Sequence, residues 1–235
     1  RREVMGVRKN VGINETHNFG KYRVTGEGAR DWLNHIMAGR IPEKGRLSLT
    51  PMLSPKGRLI GDFTVSCLGE HEFQLTASYG SQAFHMRWFD KNIADGVRVE
   101  NISDRCTGFQ IAGPIATALL KKVTRDNPET MRFLDVRPMV VGMVECLVQR
   151  VSYTGDLGYE IYCDPTDQRA LWHQLWAAGQ PMGLRPFGMR AMMSLRLDKF
   201  CGSWMREVSP DYTAAETGLD RFISWGKEGE LIGKA

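Results

Sequence analysis

Two carboxylates lie in stretches that would hold them rigidly. The first is Asp62, in Gly57-Arg58-Leu59-Ile60-Gly61-Asp62-Phe63. Aspartate is disfavoured inside strands, yet Leu59 to Leu68 alternates as a strand does. Leu59, Gly61, Phe63, Val65 and Cys67 fall on one face, and Ile60, Asp62, Thr64 and Ser66 on the other. With Phe63 and Val65 toward the core, Asp62 faces either solvent or a second cavity. In the first case it is an ordinary strand carboxylate. In the second it is fixed beside a ligand, placed to hydrogen-bond or to take a proton.

The second carboxylate is Glu160, in Tyr153-Thr154-Gly155-Asp156-Leu157-Gly158-Tyr159-Glu160-Ile161. Two glycines make a tight loop, and Glu160 opens a strand between Tyr159 and Ile161. A carboxylate among such neighbours can accept two parallel N–H bonds from a planar, guanidine-like edge; as a surface ion pair it would contribute little. Asp156, the rival in the same loop, reads as an Asx-type turn residue. Arg190, Arg196 and Lys199 lie on or near one helix. Such positions are solvated by default, although the arginine fork also suits a carboxylated ligand tail.

The elements that must position these groups follow from periodicity. Glu27 to Gly39 reads as a helix with Trp32, Leu33 and Ile36 at helical spacing and Gly39 as its C-cap. Arg40 to Gly57 is punctuated by Pro42, Pro51 and Pro55 and reads as loop with one short strand. Glu72 to Ala77 returns from the Asp62 strand as a hairpin, and Ser81 is placed to cap a helix bearing Phe84 and Trp88. Val97–Ile102 and Thr107–Ala112 read as strands, and Pro114 suits the first position of a helix over Ile115–Val123. Val140–Ser152 reads as a strand or hairpin and Tyr159–Cys163 as a strand. Thr166–Gly179 is an amphipathic helix, and Arg190–Lys199 a further helix. Strands arrive in hairpin-like pairs broken by helices, which favours an α+β fold with antiparallel sheets.

Composition excludes several classes. Hydrophobic residues make up 42% and charged residues 25% of the 235 positions, as in an ordinary globular protein and unlike a disordered or collagen-like chain. Apolar runs fall far short of the roughly 20 residues that span a membrane. The net charge of +4 is spread along the chain, without the basic stripe that nucleic acid requires. Five cysteines without a CxxC pair read as reduced thiols of a cytoplasmic protein, and no metal-ligand spacing exists. The Gly26-Glu27-Gly28 element lacks the third glycine of a dinucleotide site and reads as a turn. His85 and His173 read as packing or surface residues. Arg1 opens the chain without Met, which fits either a fragment of something longer or a trimmed stand-alone protein.

At these motifs the sequence resembles the glycine-cleavage T-protein (aminomethyltransferase) superfamily, closest to the tetrahydrofolate domain of dimethylglycine and sarcosine dehydrogenases. Three stretches carry the resemblance: Val11–Gly26 leading into the Trp32-Leu33 helix; Met52–Val65; and Tyr153–Ile161, followed by Ser194–Lys199, Trp204 and Thr213–Leu219. Leu231–Ala235 also fits. The resemblance implies a T-protein-like folate-binding fold that lacks the C-terminal β-barrel domain. In it, residues 1–48 and 138–235 form a discontinuous folate-binding domain, and 49–137 an inserted α+β subdomain carrying Asp62.

By resemblance, folate lies in a central cavity. Asp62 is then the catalytic carboxylate near the folate amine that receives a one-carbon unit. Glu160 anchors the pterin, with Tyr153, Trp204, Arg196 and Arg190 as further ligand contacts. Tetrahydrofolate is the implied cofactor, and no metal is implied. The implied partners are a small methylated amine (or a methyl thioether or ether) and a flavin dehydrogenase domain or subunit, with neither nucleic acid nor membrane. The implied activity is one-carbon transfer from an N-methyl or aminomethyl donor. The alternatives are a folate-dependent S- or O-demethylase and a folate-binding protein without transfer activity. The sequence departs from the family's pattern in three places. Phe200 and Met205 stand where relatives often have Gly. Asp198 replaces a common Glu. Met192 stands at an Arg position for which Arg190 is the nearby substitute.

Overall fold

The computed structural model describes residues 1–227, 229 and 231–233; Lys234 and Ala235 of the terminal motif lie outside them. In chain order the elements are α1 (Arg2–Lys9), β1 (Gly12–Glu15), β2 (Phe19–Thr25), α2 (Ala29–Ile36), β3 (Leu47–Leu53), β4 (Leu59–Gly69), β5 (Glu72–Ser78), α3 (Gln82–Lys91), β6 (Arg98–Asn101), β7 (Thr107–Ala112), α4 (Ala116–Val123), β8 (Val136–Val141), β9 (Val144–Gln149), β10 (Gly158–Cys163), α5 (Gln168–Gly179), β11 (Arg185–Pro186) and α6 (Met189–Leu197). The fold is α+β with antiparallel sheets and packed helices, as expected.

Two units form. The first comprises Arg1–His17 and Asp104–Cys201, the second Asn18–Ser103 and Gly202–Ala235. The first holds a six-stranded sheet in the order β11-β1-β7-β10-β9-β8, and the second a five-stranded sheet in the order β3-β4-β5-β2-β6. All pairings are antiparallel except that of β1 with the two-residue β11.

These ranges differ from the expected 1–48 with 138–235 and 49–137, and strand pairing is the reason. β2 is hydrogen-bonded between β5 and β6, which carries residue 18 onward into the unit of Asp62. β7 pairs with both β1 and β10, which carries 104–137 into the unit of Glu160. The tail joins the second unit because the Leu59 N–H donates to the Tyr212 carbonyl and Trp204, Val208 and Ala214 pack on Leu59.

In the first unit, Phe109, Ile111, Val148, Tyr159 and Ile161 point to one sheet face and form a core with Leu119 and Leu120 of α4 and Leu171 and Leu175 of α5. The opposite face carries Gln110, Glu160 and Gln149. In the second unit, Tyr22, Phe63, Val65, Phe73 and Leu75 face α2 and α3, and Asp62 and Thr64 face away. Strict alternation fails at one place. Met52 pairs with Gly61 and Leu53 with Leu59, so Ile60 is a bulge residue and turns into the core with Phe63, not to the face of Asp62.

Three local expectations are corrected. Helix α2 ends at Ile36 with an extended Met37 as C-cap. Gly39 is needed instead because a Cβ there would lie 2.6 Å from Thr50 Oγ1 and 2.7 Å from the Phe222 carbonyl. Pro114 precedes the Ile115 N-cap of α4 and does not occupy its first position. The punctuated segment before Asp62 contains a full seven-residue strand, β3.

Phe200 and Met205 adopt φ of 54° and 60°, the left-handed region in which a Cβ is costly. Both side chains are exposed. Phe200→Gly and Met205→Gly are each expected to raise unfolding stability by about 1 kcal/mol, measured by urea denaturation. A loss of stability in both would contradict this reading.

Candidate functional site

In the second unit, Asp62 sits on β4 opposite Pro51 of β3. It is half-buried, and its carboxyl is withdrawn from water enough that burial pushes its pKa up to about 6, against a smaller opposing effect of a backbone hydrogen bond. The polar row beside it continues with Ser66, Gln74 and Thr76, all buried, each with a side-chain polar atom that makes no hydrogen bond. The residue before Asp62 is Gly61, and a Cβ there would lie 2.5 Å from the Phe63 ring and 2.8 Å from His85 Nε2. His85 therefore packs directly against the backbone that carries Asp62.

His85 is fully buried, and desolvation lowers its pKa to about 4. It is a neutral ring at physiological pH, with Nδ1 3.0 Å from the Tyr22 hydroxyl. Its centroid lies 4.7 Å from Phe63 and 6.1 Å from Trp204. Trp204, buried beside Leu59, thus stands in the same unit as Asp62 behind the His85 ring. The packing role expected for His85 holds, and His173 is exposed on α5.

In the first unit, Glu160 is 6% exposed, and Tyr162 donates its hydroxyl proton to Glu160 Oε2 at 2.7 Å. Glu160 is paired across the sheet with Gln110 on β7 and Gln149 on β9, both fully buried. Ser152 Oγ donates to Gln110 Oε1 at 3.1 Å, and Gln110 Nε2 reaches the Met192 sulfur at 3.9 Å. The loop before β10 is fixed by Thr154. Its Oγ1 accepts the Asp156 N–H at 3.3 Å and lies 2.7 Å from Ser152 Oγ. The turn is therefore built by Ser152 and Thr154. Asp156 is instead an ion-pair partner of Arg8 at 2.9 Å, and Arg8 also reaches Asp198 at 2.5 Å.

Tyr153 in this loop is partly buried against the cluster of Val7, Phe187, Met192 and Leu195. Arg196 is not on a solvated face. It is 2% exposed on α6 and donates from Nη1 to the Cys201 carbonyl at 2.9 Å. Met192, one turn earlier, shares that buried face, whereas Arg190 and Lys199 are exposed. Gln110, Gln149 and Tyr162 stand beside Glu160, and Tyr22 beside His85, in addition to the residues expected from the sequence. The local mark of Gln110 is an amide between Phe109 and Ile111 in the buried strand β7, whereas Gln149 closes β9 and has no comparable mark.

Residues 1–227 match the family described as the GCVT N-terminal domain. The chain belongs to this family. As a GCVT N-terminal domain it is 33% identical to the mitochondrial dimethylglycine dehydrogenase of Rattus norvegicus over 99% of its own length and 28% of that protein. It is 28% identical to the aminomethyltransferase of Natranaerobius thermophilus over 99% of its length and 64% of that protein. The chain thus spans less than two thirds of these relatives. Its fold matches the glycine cleavage system aminomethyltransferase T of Bartonella henselae with a TM-score of 0.89 at 20% identity, covering 99% of this chain and 63% of that one. It matches the heterotetrameric sarcosine oxidase of Corynebacterium sp. U-96 with a TM-score of 0.60 at 17% identity, over 77% and 91%. No helix among the described residues is long and apolar enough to cross a membrane, and no cluster of three or more metal-ligating groups exists among them.

The raised pKa of Asp62 has a stability consequence. The folded protein holds this proton more tightly than the unfolded chain, so stability is greatest below about pH 4 in this group's contribution and is lost as pH rises through about 6. Asp62→Asn, which removes the charge, is expected to be more stable than the parent at pH 7.5 by about 1–3 kcal/mol. The gap should shrink toward zero near pH 4. Equal stability at both pH values would show that Asp62 is solvated.

Proposed function

We propose that this chain is the tetrahydrofolate-binding, one-carbon transfer unit of an aminomethyltransferase-type enzyme. The donor in this reading is an N-methyl or aminomethyl compound such as dimethylglycine, sarcosine or a glycine-derived iminium. Where the donor is oxidised first, a flavin domain or subunit supplies the oxidation. The observation that carries the proposal is Asp62, a strand-held carboxylate with a pKa pushed up to about 6, in a chain of the GCVT family.

Tetrahydrofolate supplies a nucleophilic ring amine and carries the one-carbon unit away. Asp62 is ionised above pH 6 and basic enough to accept a proton from an amine, the poise expected of a general base near neutrality. Its place on a strand against whose backbone His85 packs at Gly61 limits its freedom, so little orientation is lost when it acts. Glu160 takes a different part. One of its oxygens is already bonded to Tyr162, which orients the carboxylate to accept N–H groups from the guanidine-like edge of a pterin. The pterin fit rests on this buried, oriented acceptor.

The two carboxylates should separate in a binding and turnover experiment. Glu160→Ala is expected to weaken tetrahydrofolate binding at least about tenfold in anaerobic calorimetry. Asp62→Asn should bind within about twofold of the parent yet lose transfer by about 100-fold or more, followed as methylene- or methyltetrahydrofolate formed. Unchanged affinity in Glu160→Ala would remove the anchor role, and unchanged turnover in Asp62→Asn would remove the base.

A further inference from the structure

Gln149 is the last residue of β9 and lies directly opposite Glu160. Directly opposed residues of antiparallel strands point to the same face with Cβ atoms about 4.5–5.5 Å apart. Its neighbour on the other side is Val136 of β8, which offers no polar side-chain group. Gln149 is 0% exposed, and both its Oε1 and its Nε2 make no hydrogen bond.

This differs from the rest of the row. The carboxamide of Gln110, on the other flank of Glu160, reaches Ser152 and Met192, and Glu160 itself accepts from Tyr162. A buried carboxamide with all its hydrogen-bonding capacity unused is costly and rare in folded proteins. Its position beside an oriented acceptor carboxylate, on the face away from the hydrophobic core, accounts for that cost if a ligand satisfies it.

We propose that Gln149 is a ligand-reading residue that works with Glu160. Glu160 accepts from the ring N–H and exocyclic amino group of a 2-amino-4-oxo heterocycle, and Gln149 Nε2 donates to the adjacent ring carbonyl. The inference rests on the folate reading of Glu160 and adds the residue that distinguishes a ring carrying a lactam carbonyl from one offering N–H groups alone. Acceptor and donor side by side match the donor–donor–acceptor order of such an edge. A site with a polar group built for one ring atom discriminates strongly against rings that leave it unpaired.

The test is calorimetric titration of the 235-residue chain with tetrahydrofolate and, separately, with 6-methyltetrahydropterin, which is the ring without its tail. The parent, Gln149→Leu, Gln149→Met and Glu160→Ala are compared, each with a urea unfolding curve. Both Gln149 variants are expected to be as stable as the parent or more so, because an unsatisfied buried amide is removed. They should bind both ligands about 10- to 100-fold more weakly. Equal loss for the two ligands would assign the contact to the ring. Parent-like affinity in the stable Gln149 variants, with Glu160→Ala still impaired, overturns this inference alone. A parent that binds neither ligand overturns it together with the folate reading. Should Leu fail to fold, the unbranched Met variant carries the comparison; loss of folding in both would assign Gln149 a structural role and overturn the proposal.

Discussion

A carboxylate withdrawn from water on a strand is tolerated only where its surroundings leave it no easier place. In the second unit this constraint falls on β4. The bulge at Ile60 and the absence of a side chain at Gly61 let the His85 ring press against the backbone before Asp62. The ring is itself fixed by the Tyr22 hydroxyl, Phe63 and Trp204. On this strand, burial of the carboxyl pushes the Asp62 pKa up to about 6. The hydrophobic core on one face and the titratable group on the other are two consequences of one strand.

The first unit meets a similar demand by other means. Glu160 lies in the middle of a row of side chains that run across three strands, and Tyr162 on its own strand fixes one of its oxygens. The loop leading to it is held by Ser152 and Thr154, and through the Asp156–Arg8 ion pair it is tied to α1. Partly buried, short ion pairs of this kind position a loop more than they stabilise it. Arg196 and Met192 belong to the buried face of α6, so the helix contributes packing where its composition suggested solvation.

The parts of this structure that could be read from sequence are those governed by local periodicity. The alternation of β4 put Asp62 on the face opposite Phe63 and Val65, and the aromatic and aliphatic spacing of α5 located that helix. What could not be read depends on partners distant in the chain. The bulge at Ile60 exists only against β3. Helix α1 buries little beyond Val7 and is anchored by Arg8 to aspartates about 150 and 190 residues away. The division into units follows from the pairings of β2 and β7, which no local signal announces. The significance of Gln149 likewise needs its register against Glu160. The motif around Glu160 is local, whereas its cross-strand neighbours Gln110 and Gln149 are distant in the chain.

Asp62 as a desolvated, strand-held carboxylate differs from a solvated surface carboxylate in where it titrates. Its protonation can be read directly by carboxyl carbon NMR on protein labelled at the aspartate side chains, titrated from pH 3 to pH 8 and assigned by comparison with Asp62→Asn. One resonance with a midpoint near 6, missing from the variant, is expected. A missing resonance with a midpoint near 4, the ordinary value for an exposed aspartate, would contradict it.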